Sequence, residues 1–245
     1  MDSTESRIIV TGGGSGIGLA VARLLNGRGY PVIVCGRDEA KLERTGLSYA
    51  VMDVTQRASI EAALERVGGC DIFIANAGSA QTAPALKTGE ELWNAMITAN
   101  LTSVFHCAQA AIPAMVERGH GRFIAVASTA SLKGYAYSAA YAAAKHGVLG
   151  WIRSLAIELA QTGVTANAVC PGFTDTPLVE NALSAVEERT GRAREDVLGH
   201  FVKGNPMKRL VDPSEVAEAV AWLCSPGAAA VNGQAIAIDG GETIS

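Results

Sequence analysis

The sequence predicts an α/β fold, one doubly wound parallel sheet of about seven strands with helices on both faces. Three observations carry that expectation. Short apolar runs alternate with longer segments whose apolar residues recur at helical spacing, in one unbroken series. The short runs are rich in β-branched residues and do not alternate with polar ones, as expected of strands covered on both faces. With 245 residues and no linker-like stretch, the chain suits one large domain spanning residues 1–245.

In chain order, the expected strands are Arg7 to Thr11, Pro31 to Gly36, Ser48 to Met52, Asp71 to Ala75, Arg122 to Ala127, Thr165 to Cys170 and Ala235 to Ile238. Helical periodicity marks Gly16 to Leu25, Ile60 to Val67, Glu90 to Val116, Tyr141 to Ala160 and Ser214 to Leu223. The last helix is announced by Asp212-Pro213 with Glu215 following, a capping aspartate and a first-turn proline. Strand and helix in repeated succession imply right-handed crossovers, with ligand sites beyond the carboxyl ends of the strands. Residues 177–206 break the pattern: they hold no strand and carry the charged stretch Glu187 to Asp196. Such a segment reads as a substrate lid, with a surface helical hairpin as the plainer alternative.

Composition excludes other classes. With 49% hydrophobic residues, 18% charged residues and 27 glycines without a triplet period, the chain is neither disordered nor collagen-like. Its net charge of -4 comes from interspersed signs, which argues against nucleic acid as a partner. The five cysteines (Cys35, Cys70, Cys107, Cys170, Cys224) are widely spaced and lack a C-x-x-C pair. They read as buried thiols in a reducing compartment, with no metal site. The N-terminal residues Met1 to Arg7 lack a basic leader region, and no segment approaches the roughly 20 apolar residues of a membrane span. The expectation is a cytoplasmic protein with no membrane partner.

The first strand leads into Thr11-Gly12-Gly13-Gly14-Ser15-Gly16-Ile17-Gly18 and then a helix. Glycines there allow a tight turn and close backbone approach to a pyrophosphate, whose charge the helix N-terminus stabilises. The T-G-x-x-x-G-x-G spacing resembles the short-chain dehydrogenase/reductase family, whose sheet is of the Rossmann type. After the second strand comes Cys35-Gly36-Arg37-Asp38. By that resemblance, NAD-dependent members usually carry Asp where Gly36 stands. Arg37 can pair with a 2′-phosphate through its planar fork, which favours NADP(H) and leaves NAD(H) open. Asp38 is read as a surface partner of Arg37. Ser15 stands where many NADP-dependent relatives have Arg, so the preference rests on one residue. Asp53-Val54 resembles the pair that contacts adenine, and Ala75-Asn76-Ala77-Gly78 resembles Asn-Asn-Ala-Gly, with Asn76 expected to tie strands together.

Tyr141 and Lys145 stand four residues apart and so share one helix face. Ser128 precedes Tyr141 by 13 residues, as in the family's catalytic pair. Asn100 matches the family's helix asparagine, expected to order a water that relays protons. Pro171-Gly172-Phe173-Thr174-Asp175-Thr176 resembles the P-G-x-x-x-T segment beside the nicotinamide, and the resemblance runs to Ile238-Asp239-Gly240-Gly241. Tyr141 is expected to exchange a proton with the substrate oxygen, its phenol lowered by the Lys145 charge and by the nicotinamide. Ser128 is expected to hydrogen-bond that oxygen and Lys145 also to hold the ribose. Tyr135 and Tyr137, which lack a lysine four residues on, are read as lining the substrate pocket.

The surrounding stretches look like 3-oxoacyl reductases and aromatic-polyketide ketoreductases, implying reduction of a 3-keto thioester by NADPH. The alternative is an NAD-dependent dehydrogenase of a 3-hydroxy acid or of a cyclic or aromatic secondary alcohol. The 3-hydroxybutyrate dehydrogenases grip a carboxylate with a His and a Lys at positions that are Ala130 and Ser138 here. Arg189, Arg192 and Arg194 suit either a coenzyme A phosphate or plain solvated surface. Thr162 replaces the carrier-docking arginine of fatty-acid reductases. A nucleotide sensor without chemistry is a minor third reading. The family resemblance further implies a homotetramer packed through the helices around Leu101 to Val116 and Tyr141 to Leu159.

Overall fold

In a computed structural model of the chain, residues 6–244 are described. Residues 1–5, on which the reading of no leader partly rests, lie outside the described residues, as does Ser245. Seven strands make one parallel sheet: β1 (Ile8–Thr11), β2 (Val32–Gly36), β3 (Ser48–Val51), β4 (Ile72–Ala75), β5 (Gly121–Val126), β6 (Val164–Pro171) and β7 (Ala235–Ile238). Their order is β3-β2-β1-β4-β5-β6-β7. The chain winds from β1 out to β3 and returns to β4 on the other side of β1. The strand order therefore reverses between β1 and β4, where Val10 faces Val34 on one side and Ile74 on the other. Ligands of such sheets bind at that reversal, beyond the strands' carboxyl ends.

The strands read as continuous apolar runs because both faces are covered. Ile9, Phe73 and Phe123 point into one core with Ile60, Val104 and Ile152, whereas Ile8, Val10 and Ile74 point into the other with Val21, Leu25 and Val220. Helices α3 (Arg57–Val67), α5 (Ser103–Arg118) and α6 (Ala139–Leu159) cover the first face, and α1 (Gly16–Gly27) and α9 (Pro213–Cys224) the second. Phe73 and Phe123 stack across β4 and β5 with ring centroids 5.8 Å apart. Helix α9 begins as the sequence signals: the Ser214 amide donates to Asp212 at 2.8 Å, and the Asp212 amide donates to Glu215 at 2.8 Å.

Two segments differ from the sequence reading, and a third, residues 177–206, takes the helical-hairpin form that it left open. The helix expected over Glu90 to Val116 is α4 (Glu90–Ile97) and α5, joined by a π-helical turn at Thr98–Thr102 that holds Asn100. A short helix α2 (Glu39–Glu43) follows β2 and is too brief to show a period. Residues 177–206 hold the hairpin α7 (Pro177–Thr190) and α8 (Arg194–Val202), turning at Gly191 with φ +65°. Among the described residues no helix is long and apolar enough to cross a membrane, and no cluster of side chains could hold a metal ion. All five cysteines are free and buried.

Candidate active site

The glycine loop leaves β1 at the reversal point. A Cβ on Gly18 would sit 2.5 Å from Asn76 Nδ2 and 2.5 Å from the Gly12 carbonyl oxygen, so the loop closes tightly only with glycine there. Asn76 donates through Nδ2 to the Thr11 carbonyl at 2.9 Å, while the Asn76 and Ala77 amides donate to Thr11 Oγ1 at 3.0 Å each. These bonds tie β1 to β4, the role expected of Asn76. Ser15 caps α1 with backbone alone, and the first turn, with Gly16, Ile17 and Gly18, has no acidic residue. Among the described residues no side chain caps the start of α1, which suits a bound pyrophosphate. Thr176 lies over this loop, its methyl 3.1 Å from where a Gly16 Cβ would be. Pro171 ends β6, the Gly172 amide donates to Ile238, and Thr174 Oγ1 donates to the Gly172 carbonyl at 2.9 Å. The Pro171–Thr176 loop is thereby fixed beside Gly16.

At the end of β2, Arg37 is exposed. Asp38 does not form the expected ion pair with it: its carboxylate caps α2 by accepting from the Lys41 amide at 3.0 Å. Asp53 and Val54 lie half-buried after β3. Asp53 Oδ1 accepts from the Thr55 amide at 2.9 Å and the Thr55 hydroxyl at 2.7 Å. Burial raises the Asp53 carboxyl, but the two Thr55 donors and the nearby Arg37 charge outweigh it and hold it below the usual range.

Ser128 follows β5 and caps a 3-10 turn, its Oγ accepting from the Ala130 amide at 3.1 Å. Tyr141 and Lys145 stand one turn apart near the start of α6. Lys145 is buried, donates to the Val126 carbonyl at 3.0 Å and lies 5.8 Å from the Tyr141 ring centroid. Burial lowers its ammonium to about 8. Burial also pushes the Tyr141 phenol above its ordinary value, against the lowering hydrogen bond from Ser128. In the chain alone, desolvation outweighs the lowering influence on the phenol.

Asn100 donates to the Ser79 and Met96 carbonyls at 2.9 and 3.0 Å and accepts from the Ser79 amide at 3.2 Å. It holds the loop that leaves β4 through Ala77 and Gly78. A Cβ on Gly78 would be 2.6 Å from Asn100 Oδ1 and 3.9 Å from Lys145 Nζ, so these three residues meet. Asn100, Ser128, Tyr141 and Lys145 therefore gather at the carboxyl ends of β4 and β5, next to the glycine loop.

One cluster escaped the sequence reading. The Tyr135 hydroxyl lies 2.6 Å from Glu242 Oε1 and 2.7 Å from Thr129 Oγ1, and Lys133 Nζ lies 3.1 Å from Glu242 Oε1. Burial and the neighbouring carboxylate both raise the Tyr135 phenol. The only signal in the sequence is an acidic residue directly after Asp239-Gly240-Gly241. Tyr135 also stacks edge-on against Phe173, which in turn meets Phe201 of α8 with centroids 4.9 Å apart. Tyr137 is exposed and has φ +65°. Of the three arginines considered for a phosphate, Arg194 pairs with Glu180 and with Glu187.

A glycine loop at the reversal point of a doubly wound sheet, beside a Ser, Tyr and Lys group, defines a nucleotide-dependent oxidoreductase. The family model described as enoyl-(acyl carrier protein) reductase matches residues 12–243. The 3-oxoacyl-(acyl-carrier-protein) reductase of Vibrio cholerae is 38% identical, over 95% of each chain. The D-beta-hydroxybutyrate dehydrogenase of Cupriavidus necator is 39% identical, over 95% of this chain and 96% of the relative. Among solved structures, an actinorhodin polyketide ketoreductase with NADPH superposes with a TM-score of 0.92 at 37% identity, over 99% of each chain. The chain belongs to the short-chain dehydrogenase/reductase family, whose members are oxidoreductases that use NAD(P)H.

Proposed function

We propose that this protein reduces the 3-keto group of an acyl thioester to a secondary alcohol with NADPH. The observation that carries the reading is the placement of Tyr141 one turn from buried Lys145, whose ammonium lies 5.8 Å from the Tyr141 ring centroid, beside Ser128. Bound reduced nicotinamide supplies the hydride. Tyr141 gives its hydroxyl proton to the carbonyl oxygen, and Ser128 donates a hydrogen bond to the same oxygen as charge develops on it. Lys145 holds a cation beside the phenolate that forms, and Asn100, fixed by Ser79, orders the water that returns the proton. The cofactor would be held by Gly12, Ser15, Gly16, Ile17, Gly18, Arg37, Asp53, Val54, Asn76, Ala77, Gly78, Pro171, Gly172, Thr174 and Thr176 together with Tyr141 and Lys145.

The thioester reading is supported by the 3-oxoacyl and polyketide relatives, and NADPH by Gly36 and Arg37 at the end of β2. Coenzyme A suits this chain better than a carrier protein because Thr162 takes the place of the docking arginine. Residues 177–206 act as the lid, with Phe201 against Phe173. The enzyme works as a cytoplasmic homotetramer, its contacts on the apolar faces of α5 and α6, where Phe105 and Val116 are exposed. A second reading, an NAD-dependent 3-hydroxy acid dehydrogenase, is favoured by the Cupriavidus relative. Against it, the carboxylate-gripping positions are buried Ala130 and helix-capping Ser138. The test is the initial rate of acetoacetyl-CoA reduction with NADPH and NADH in parallel. Faster turnover with NADPH is expected; turnover preferring NADH, or none with either, overturns the reading.

A further inference from the structure

We propose that Lys41, on the short helix α2, is the second cation of the site for the adenosine 2′-phosphate, acting with Arg37 to set NADP(H) preference. This rests on the NADPH reading above and names the residue that enforces it.

Helix α2 sorts its charges by direction. Tyr49 on β3 lies 3.3 Å from Glu39 and 3.0 Å from Glu43 through its hydroxyl, which draws both carboxylates toward β3. Lys41 goes the other way, across the glycine loop. A Cβ built on Gly14 would lie 3.2, 3.5 and 3.6 Å from the Cγ, Cδ and Cε of Lys41, so the stem covers Gly14. Buried Leu42 fixes the roll of the helix that produces this division. The ammonium has no hydrogen bond or ion pair among the described residues, and neither has the Arg37 guanidinium. Of the remaining acids, Asp38 is committed to the α2 cap, and Asp53 accepts from Thr55 at one oxygen. Ser15 contributes no charge from the loop itself.

In a doubly wound nucleotide site, the adenosine ribose lies between the glycine loop and the end of the second strand. The Lys41 stem lies over the first of those places, at Gly14, and Arg37 stands at the second. Two cations without an ion pair among the described residues, Arg37 acting on Asp53 only through its nearby charge, suit a phosphate dianion. Lys41, as a point charge on a flexible stem, can follow the phosphate, whereas Arg37 grips it by its fork.

The test measures binding of 2′,5′-ADP and of 5′-ADP by titration calorimetry to wild type, Lys41→Met and Lys41→Arg, without any turnover. Wild type is expected to bind 2′,5′-ADP at least about tenfold tighter than 5′-ADP. Lys41→Met, which keeps the stem over Gly14, should remove most of that preference while changing 5′-ADP affinity by less than about twofold. Lys41→Arg should retain it. A wild-type protein without the preference would overturn the NADPH reading together with this proposal. A wild-type preference that survives in Lys41→Met, or a loss shared equally by both ligands, would overturn the role of Lys41 alone.

Discussion

Tyr135 donates its hydroxyl to the buried carboxylate of Glu242 at 2.6 Å, joining the loop after Ser128 to the C-terminal turn of the chain. The single phenolic proton goes to the carboxylate, which leaves the Thr129 hydroxyl to donate to the phenol oxygen. Because Thr129 adjoins Ser128 and the Tyr135 ring packs on Phe173, the bond braces two walls of the site at once. Tyr135→Phe keeps the ring and removes the donor, so it should destabilise the fold by about 1–3 kcal/mol, read as a lower urea midpoint. An unchanged midpoint would show that the bond is not formed in solution.

Gly18→Ala should cost both stability and nucleotide affinity. The added methyl would meet Asn76 Nδ2 and the Gly12 carbonyl at 2.5 Å, and backbone cannot withdraw as a flexible side chain can. The expected loss is about 1–3 kcal/mol of stability, with weaker NADPH binding by fluorescence titration. Wild-type affinity in this variant would contradict the packing of the loop against Asn76.

Lys145 gives a pH signature of known sign. An ordinary lysine keeps its proton to 10.5, but burial lowers this one to about 8. Between those values the unfolded chain binds a proton that the folded chain does not, so stability from this group rises with pH across that window. Below about 8 the full cost of the buried charge is present. Urea midpoints of wild type and Lys145→Met, compared at about pH 7 and about pH 10, should show wild type gaining on the variant at the higher pH. Parallel curves would mean that the ammonium is not desolvated.

The strands were legible because parallel strands buried on both faces, such as Ile8-Ile9-Val10, leave little room for polar residues. The start of α9 was legible because its cap lies within four adjacent residues, Asp212 to Glu215. The proposed catalytic group was legible as spacing, since Tyr141 and Lys145 share one helix face whatever surrounds them. What the sequence hid depends on residues far apart in the chain. Glu242 reaches Tyr135 across the whole second half of the fold, and Lys41 acquires its meaning only from Gly14. The π-helical turn at Asn100 interrupts a segment whose apolar period continues through it, so the break leaves no trace in composition.

The proposed homotetramer is tested by sedimentation. Wild type at micromolar concentration should run well above the 25.3 kDa of one chain. Phe105→Asp, on the exposed apolar face of α5, should shift the population toward a single chain because a charge there opposes burial. A wild type that runs only as one chain would refute the assembly.

The most direct test of the chemistry is turnover by Tyr141→Phe on any ketone that wild type reduces, measured alongside NADPH affinity. The phenyl ring keeps the packing and removes the proton that the proposal gives to the substrate oxygen. Turnover should fall by about 100-fold or more, with the NADPH dissociation constant unchanged within about twofold. Turnover that survives the loss of the hydroxyl would contradict Tyr141 as the proton donor, and with it the mechanism.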